Sequence, residues 1–349
     1  MAYTTIDDPT IYFNTLLWTG NGSDNRVISG VGFQPDWIWW KHRSGTNGHG
    51  VIDVVRGTSG TNYTLATNST SAEFDWSSIF KNIQSDGYTV GTDSAINQSG
   101  QTYVAWNWLA DNTSGSSNTD GSITSTVSAN TTAGFSIVSY TGTGSTGTIG
   151  HGLGTTPAMG IFKNRSAGST HWRVWHQNLA NDKILELSDT TAAHTPGTAD
   201  FNISNNSSTV WGLSTNSQSN GSGNSMIAYL FAEKKGYSKF GSYTGNGNSD
   251  GTFVYTGFKP AFLIIKKTSA AGSWYIYDNK RAGGSNVNDD AVLADTTDSE
   301  FSSNIDFTAQ GVKIRTSGSG ENLSGGSFIF MAFAESPFVN SNGVPNNAR

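Results

Sequence analysis

One pattern of three landmarks recurs three times in these 349 residues and limits what the chain can fold into. A Thr-Gly-x-Gly segment comes first, a proline followed by an apolar run ending in lysine comes second, and an aromatic segment ending in alanine and an acid comes third. The landmarks occupy 19–22, 35–41 and 106–111; 141–144, 157–163 and 229–233; and 244–247, 260–266 and 331–335. The threonine precedes the proline by 16 residues and the proline precedes the lysine by 6 in every copy. Such a period predicts a repeated structural unit.

The residue types within each copy predict short strands joined by tight turns. The glycines of Thr-Gly-x-Gly accept positive φ angles, which a turn between strands requires. Proline lacks a backbone donor and suits the first residue of a strand, and the run after it is apolar on both faces, as in a strand covered by two layers. The aromatic segment alternates bulky residues, for example Trp106 and Trp108, with the period of a strand. We therefore predict an all-β chain of three tandem β-sandwich or jelly-roll-like modules.

The repeat also sets the predicted domain boundaries. The three modules are expected at 15–111, 135–236 and 237–336. Residues 112–134 are almost entirely Ser, Thr, Asn and Gly, which predicts a linker. Residues 1–14 precede the first repeat, and 337–349 contain two prolines and are expected to form an extended C-terminal tail.

Charge and composition exclude several classes of function. The chain has 20 Lys and Arg against 26 Asp and Glu, a net charge of −6, and no long basic run, so nucleic acid is not an expected partner. There is no cysteine, hence no disulfide and no thiolate metal site. Residues 1–9 lack the basic and apolar regions of a signal peptide, and no apolar run approaches the roughly 20 residues that span a bilayer, so we expect no membrane insertion.

We find no residues that predict catalysis. Glu73 and Asp75 are the best available pair of carboxylates for a glycosidase, but they are expected to lie in a loop. The acid that recurs at the third landmark is interpreted as a strand cap or as the salt-bridge partner of the recurrent lysine. The acids are Asp111, Glu233 and Glu335, and the lysines are Lys41, Lys163 and Lys266. We therefore predict that the protein is not an enzyme.

Metal binding is likewise not predicted, with one alternative left open. The histidines lack the spacing of a metal site, and His171 and His176 are interpreted as polar surface residues. Asp- and Asn-rich turns at 111–120, 247–250 and 289–290 could supply oxygen ligands to Ca²⁺, although none matches a complete calcium loop. We predict no cofactor, with Ca²⁺ as the alternative.

Aromatic side chains are the one feature that could recognise a ligand. Exposed aromatic faces stack on sugar rings while the sugar hydroxyls stay hydrated. The candidates lie in or beside short strands: Trp172, Trp175, Trp274, Tyr275 and Tyr277. The competing interpretation is that these side chains fill the core.

Four segments of the third copy resemble a repeated domain of unknown function found in tail-fibre and other structural proteins of tailed bacteriophages, mainly marine ones. They are Tyr-Thr-Gly-Asn-Gly at 243–247, Gly-Phe-Lys-Pro-Ala-Phe at 257–262, Trp-Tyr-Ile-Tyr-Asp-Asn-Lys-Arg at 274–281 and Met-Ala-Phe-Ala-Glu-Ser-Pro-Phe-Val at 331–339. The second copy departs from the pattern, because Thr-Thr-Pro at 155–157 replaces Gly-Phe-x-Pro and Tyr-Asp-Asn-Lys-Arg is lost. The family has no catalytic residues to transfer.

The resemblance implies a location on the virion surface, in contact with other virion proteins. It favours a short tail fibre or tail appendage that contacts the host, with a surface glycan or other receptor as partner. A capsid decoration or capsid fibre is the alternative, and a glycan-degrading tailspike is the second alternative. A homo-oligomer such as a trimer is expected. Candidates for docking onto the particle are Tyr3, Ile6, Tyr12 and Phe13.

Overall fold

The computed structural model describes residues 3–57, 63–76, 78–284 and 286–345, and it confirms the all-β prediction. We call residues 3–111, 112–236 and 237–345 segments 1, 2 and 3. In segment 1 the strands are β1 Phe13–Thr19, β2 Arg26–Ser29, β3 Trp37–His42, β4 His49–Asp53, β5 Tyr63–Thr64, β6 Phe74–Asp75, β7 Phe80–Gln84, β8 Gly87–Val90 and β9 Thr102–Trp108.

In segment 2 the strands are β10 Ser116–Asn118, β11 Ser125–Asn130, β12 Phe135–Thr141, β13 Gly147–Gly150, β14 Met159–Asn164, β15 Arg173–His176, β16 Leu185–Glu186, β17 Val210–Leu213 and β18 Ser225–Phe231. In segment 3 they are β19 Ser238–Thr244, β20 Phe253–Tyr255, β21 Phe258–Lys267, β22 Trp274–Asp278, β23 Asn288–Leu293, β24 Phe301–Thr308, β25 Gly311–Ile314 and β26 Ser327–Pro337. Helical structure in the described residues comprises single turns: α1 Ser217–Asn220, α2 Ser319–Asn322 and the 3-10 turns Pro9–Ile11 and Ile203–Asn205. No helix in the described part of the chain is both long and apolar enough to cross a bilayer.

Each segment contributes one large antiparallel sheet with the same central strand order. The orders are β1-β9-β3-β4 in segment 1, β10-β11-β12-β18-β14-β15-β16 in segment 2 and β19-β26-β21-β22-β23-β24-β25-β20 in segment 3. In each, the strand after the proline pairs with the aromatic strand of the third landmark. The registers agree: Trp37 pairs with Trp108, Met159 with Phe231 and Phe262 with Phe333. Residues that share a register position in the three sheets are called corresponding residues below.

The first glycine of each Thr-Gly-x-Gly landmark is required by a close approach of the backbone. A Cβ on Gly20, Gly142 or Gly245 would lie 2.1–2.4 Å from a carbonyl oxygen in the stretch of chain that leads into β9, β18 or β26. No side chain fits at that distance. The recurrence of this landmark therefore has a steric cause.

Both faces of each large sheet are covered, which the apolar runs after the prolines predicted. The outer face packs on a smaller layer within its own segment: β2, β8 and β7 in segment 1, β13 and β17 in segment 2, and the β20, β25 and β24 end of the sheet in segment 3. The inner faces of all three sheets meet in one shared cluster, which we call the central core. Trp37, Phe231 and Phe333 lie in it, each from a different segment.

Aromatic rings from different segments touch directly in the central core. The Trp37 ring centroid lies 4.6 Å from that of Tyr229, and the Phe231 and Phe333 centroids are 6.0 Å apart. The Trp108 and Phe333 centroids are 5.7 Å apart. Segments 1 and 2, 2 and 3, and 3 and 1 are thus in contact, as three subunits would be around a threefold axis.

The structure corrects the prediction of a linker at 112–134. Strand β10 pairs with β11, and β11 pairs along its length with β12, so the residues predicted as a linker extend the sheet of segment 2. Ser125 and Val127 are buried, whereas Thr126 between them is exposed. Thr and Val favour strands, and strand alternation here is carried by Ser and Thr, so polar composition alone was misleading. The other domain boundaries stay predictions.

The predicted C-terminal tail begins at the last residue of the final strand. Pro337 ends β26 and pairs with Phe258, and beyond it Val339 forms an isolated bridge with Pro345. The backbone N–H of Ser341 donates to Asp7 at 2.6 Å, so this end lies against the start of the chain. Residues 346–349 of the predicted tail lie outside the described residues.

Candidate functional site

Four of the five aromatic residues predicted to stack on sugars are buried. Trp172, Trp274 and Tyr277 are at most 1% exposed and Trp175 is 6% exposed, so the prediction is wrong for these four. Tyr275 is half-buried beside Phe301. The reason is that both faces of their strands are covered, one by the central core and one by the segment's own outer layer.

The residues predicted to dock onto the virion belong largely to the protein's own core. Ile6 and Phe13 are buried in the central core, and Tyr12 packs against it with its ring 6.0 Å from that of Tyr237. The hydroxyl of the half-buried Tyr3 donates to the carbonyl of Gly257 at 2.7 Å. The docking prediction is therefore wrong for Ile6 and Phe13, which are shielded from a partner.

The same hydrogen bonds recur at the three boundaries between segments, which we call seams 1–2, 2–3 and 3–1. One ring nitrogen of a corresponding residue reaches a carbonyl of the preceding segment. The three contacts are Trp172 Nε1 to the Ala66 carbonyl, Trp274 Nε1 to the Glu186 carbonyl and His49 Nε2 to the Leu293 carbonyl, each at 2.9 Å. Backbone bonds repeat in the same way, from the N–H of Glu73, Ala193 and Glu300 to the carbonyls of Arg165, Thr268 and Arg43, at 2.8, 3.0 and 2.8 Å. These contacts join segment 1 to 2, segment 2 to 3 and segment 3 back to 1, so the three segments form a closed ring.

His49 fits this ring as a neutral imidazole. Trp39 Nε1 donates to its Nδ1 at 2.9 Å, which leaves Nε2 as the protonated nitrogen that donates to Leu293. Burial lowers the pKa of His49 well below its ordinary value, in agreement with this assignment.

The recurrent lysines also bridge the seams, and the predicted pairing with the recurrent acids is wrong. Each ammonium group donates to a carbonyl of the preceding segment: Lys41 to Thr297, Lys163 to Thr70 and Lys266 to Asp189, at 3.2, 3.1 and 3.4 Å. The acids bond elsewhere: Glu233 pairs with Lys239, Glu335 pairs with Lys259, and Asp111 accepts from Ser128 and Thr113. Burial lowers the pKa of all three recurrent lysines to about 8.

Seams 1–2 and 3–1 each hold a carboxylate between two guanidinium groups. Glu73 bonds to Arg56 at 2.8 Å and to Arg165 at 2.7 Å; Glu300 bonds to Arg281 at 3.1 Å and to Arg43 at 2.7 Å. We call these the ionic locks. Both oxygens of Glu73 are engaged, so it is poorly placed to protonate a glycosidic oxygen, as the glycosidase pair would require.

In each lock, a buried aspartate three residues before the first arginine, Arg56 or Arg281, holds that arginine in place. Asp53 bonds to Arg56 and Asp278 to Arg281, both at 2.5 Å. Each aspartate also accepts a hydrogen bond across the central core, Asp53 from the Tyr229 hydroxyl at 2.7 Å and Asp278 from Trp106 Nε1 at 3.0 Å. The Asp-x-x-Arg spacing thus places both charges beside the neighbouring segment.

Seam 2–3 lacks the lock, because every charge of the set is replaced together. The positions that correspond to Arg281, Glu300, Arg43 and Asp278 carry Leu179, Ala193, Thr268 and His176. His176 Nε2 contacts the Phe330 carbonyl at 3.2 Å, and burial lowers its pKa to about 4, so it is neutral near pH 7. Removing one member of a buried ionic set leaves unpaired charge, whereas removing all of them does not.

Segment 2 has instead a cluster of polar side chains beside seam 2–3. Nitrogen or oxygen atoms of His171, Glu186 and Asp189 lie within 4.8 Å of one another. Arg173 bonds to Glu186, and both Arg173 and His194 line an adjoining cavity of about 500 Å³. Burial raises the pKa of the nearby Asp200 to about 6. Sequence spacing could not reveal the cluster, because its members come from the loop just before β15, the end of β16 and the loop after β16.

The turns considered for Ca²⁺ use their oxygen atoms within the protein. Asp250 pairs with Lys313 at 2.8 Å, Asp120 accepts from Asn118 at 3.0 Å, and Asp290 lies 3.8 Å from Arg43. In the described ranges these turns do not bring three acidic or histidine side chains together.

Substitution of the shared carboxylate should break one lock. Glu73→Ala leaves Arg56 buried with one carboxylate fewer, so we expect the free energy of unfolding to fall by about 3 kcal/mol. Asp75→Ala, at an exposed neighbouring acid, is the control and should change it by less than about 0.5 kcal/mol. Urea unfolding measures both. Equal small effects would show that the lock does not stabilise the fold.

The three lysines should make stability depend on pH. Their pKa is about 8 in the folded chain against an ordinary value of 10.5, so the unfolded chain binds more protons between these values, and stability rises with pH from about 8 to about 10. Above that range the buried tyrosines, whose pKa values burial raises, act in the opposite direction. We expect Lys163→Met to reduce the slope and the surface variant Lys81→Met to retain it, measured as urea midpoints against pH. A slope unchanged in Lys163→Met would contradict the prediction.

Comparison with known proteins gives one family and no established function. No protein with a curated description matches this sequence. One solved structure, from a study of the triple jelly roll fold and turret assembly in an archaeal virus, aligns over 92% of this chain and 87% of its own, with 10% identity and a TM-score of 0.17, too low to support any conclusion. A family model described as a domain of unknown function, DUF7483, matches residues 8–337. The landmarks, the seams and the central core lie almost wholly within this match, and the chain belongs to the DUF7483 family.

Proposed function

We propose that this chain is a structural protein of a bacteriophage particle, exposed on the particle surface as a short tail fibre or tail appendage. The observation that carries the proposal is the closed ring of seams around the central core. The recurrent lysines Lys41, Lys163 and Lys266 each bond a backbone carbonyl of the preceding segment, so the residues that recur join the segments together. The sequence resemblance to phage structural proteins is the reason for proposing a location on a phage particle.

A capsid-surface decoration protein or capsid fibre is the alternative within the same class. A decoration protein would have the same all-β structure and would differ from a tail fibre in its position on the particle. The tailspike alternative is less well supported, because Arg56 and Arg165 bind both oxygens of Glu73, one of the two carboxylates proposed for it.

The expected homo-oligomer remains part of the proposal, with one constraint. A trimer of single sheets would bury their inner faces on the threefold axis. Here those faces are already buried in the central core, for example at Trp108, Phe231 and Phe333. Contacts with further copies or with other virion proteins would therefore use the polar outer surface.

Location on the particle is the direct test. Antibodies raised against the purified protein should label the tail region of intact purified phage particles in immunogold electron microscopy. Antibody adsorbed with the same protein is the control. Label on the capsid shell would replace the tail role with decoration, and absence of label from intact and disrupted particles would contradict a virion role altogether.

Host contact through glycans has a better structural candidate than the buried tryptophans. Phe253 and Tyr255 are 47% and 55% exposed and lie on one face of β20. They line a groove of about 360 Å³ together with Gln177 and Lys239, whose side chains can donate hydrogen bonds. Two exposed rings two residues apart, flanked by polar groups, suit stacking against sugar rings.

A glycan array tests this groove. We expect the wild-type protein to bind a subset of bacterial surface glycans and Tyr255→Ala to lose at least about 1 kcal/mol of that binding, roughly fivefold, because one stacking face is removed. Tyr63→Ala removes another partly exposed tyrosine, outside the groove, and should bind as wild type. A flat response of the wild-type protein to all glycans would remove the glycan partner from the proposal.

A further inference from the structure

The cluster of His171, Glu186 and Asp189 has the donor set of a transition-metal site. His171 Nδ1 lies 3.4 Å from Glu186 Oε2, and the ligand atoms of all three side chains are within 4.8 Å of one another. Zinc bonds imidazole nitrogen and carboxylate oxygen at about 2.0–2.2 Å, so atoms on one ion lie up to roughly 4 Å apart. Modest rotation of His171 and Asp189, both partly exposed, brings them into that range.

The existing hydrogen bonds leave one carboxylate oxygen of Glu186 and one of Asp189 available to an ion, and His171 Nδ1 has one hydrogen bond to give up. Arg173 and, at 3.9 Å, His194 are close to Glu186 Oε1, which leaves Oε2 facing His171. Asp189 Oδ1 accepts from the N–H and hydroxyl of Thr191, which leaves Oδ2 for the ion. The Ser188 hydroxyl, 3.2 Å from His171 Nδ1, can rotate away.

An ion bound at this cluster would hold in place the loop that forms seam 2–3. The loop 186–194 makes the contacts of seam 2–3: the Glu186, Asp189 and Thr190 carbonyls accept from Trp274, Lys266 and Gly272, and the Ala193 N–H donates to Thr268. In the other two seams, Glu73 and Glu300 fasten the corresponding loops through the ionic locks. Ala193 stands at that position in segment 2 and offers no charge.

We propose that His171, Glu186 and Asp189 bind one Zn²⁺ or a similar borderline divalent cation, which fastens the loop 186–194 and replaces the missing ionic lock of seam 2–3. Imidazole with two carboxylates selects zinc-like ions over Ca²⁺, which prefers six to eight oxygen ligands. The ion joins the loop just before β15, the end of β16 and the loop that contacts segment 3.

Calorimetric titration of the EDTA-treated full chain tests the site. ZnCl₂ should bind with one equivalent per chain and raise the midpoint of thermal unfolding by a few degrees, because the ion binds the folded state alone. CaCl₂ at the same concentration should do neither. Failure of zinc to bind the wild-type protein in a one-to-one ratio would overturn the proposal.

Variants separate this site from incidental binding. His171→Ala and Asp189→Asn should each weaken zinc binding about tenfold or more and abolish the thermal shift. Both side chains are partly exposed, so the variants should fold, which circular dichroism in EDTA verifies. Asp182→Asn, an exposed carboxylate of the same segment that pairs with Thr195, is the matched control and should bind as wild type. Zinc binding unchanged in both ligand variants would assign the ion elsewhere and overturn the proposal. Glu186 is left intact because its removal would take away one of the two carboxylates beside the buried Arg173.

Discussion

Burial of the inner face of each large sheet is the constraint on which the rest of the structure depends. A sheet that is apolar on both faces must be covered twice, and each segment has an outer layer for one face alone. The other faces meet in the central core, where Trp37 packs on Tyr229 and Phe231 packs on Phe333. Because this core takes residues from all three segments, we expect the segments to stabilise one another and to unfold together.

Once three sheets share a core, the seams between them must satisfy their buried polar groups. The recurrent lysines and the ring nitrogens of His49, Trp172 and Trp274 bond backbone carbonyls of the preceding segment. Two seams add an ionic lock and the third omits all of its charges, which is consistent with the high cost of an unpaired buried charge. The loss of Tyr-Asp-Asn-Lys-Arg in segment 2 removes the aspartate and arginine of the lock, since His176 and Leu179 stand where segment 3 has Asp278 and Arg281.

Sequence reasoning located the strands well and their surroundings poorly. The apolar runs after the prolines and the Thr-Gly-x-Gly turns indicated strands that the structure contains, since both signals are local. Trp172 and Trp274 were candidates for a sugar site, but burial depends on what covers a strand, which periodicity does not encode. The strands β10 and β11 were missed because their alternation is carried by Ser and Thr. The cluster at His171 has no spacing in the sequence that is typical of a metal site, since the pairing of adjacent strands brings its members together.

The sequence by itself determined an all-β chain, the positions of its turns and the equivalence of three stretches, because turn sterics and strand alternation act over a few residues. The tertiary structure alone decided that the three sheets face inward on one core, that the recurrent lysines bridge the seams, and that Glu73 joins Arg56 to Arg165. These are contacts between residues far apart in the chain. Their partners are chosen by which faces must be excluded from water and by which buried charges must be paired, and neither can be read from local sequence.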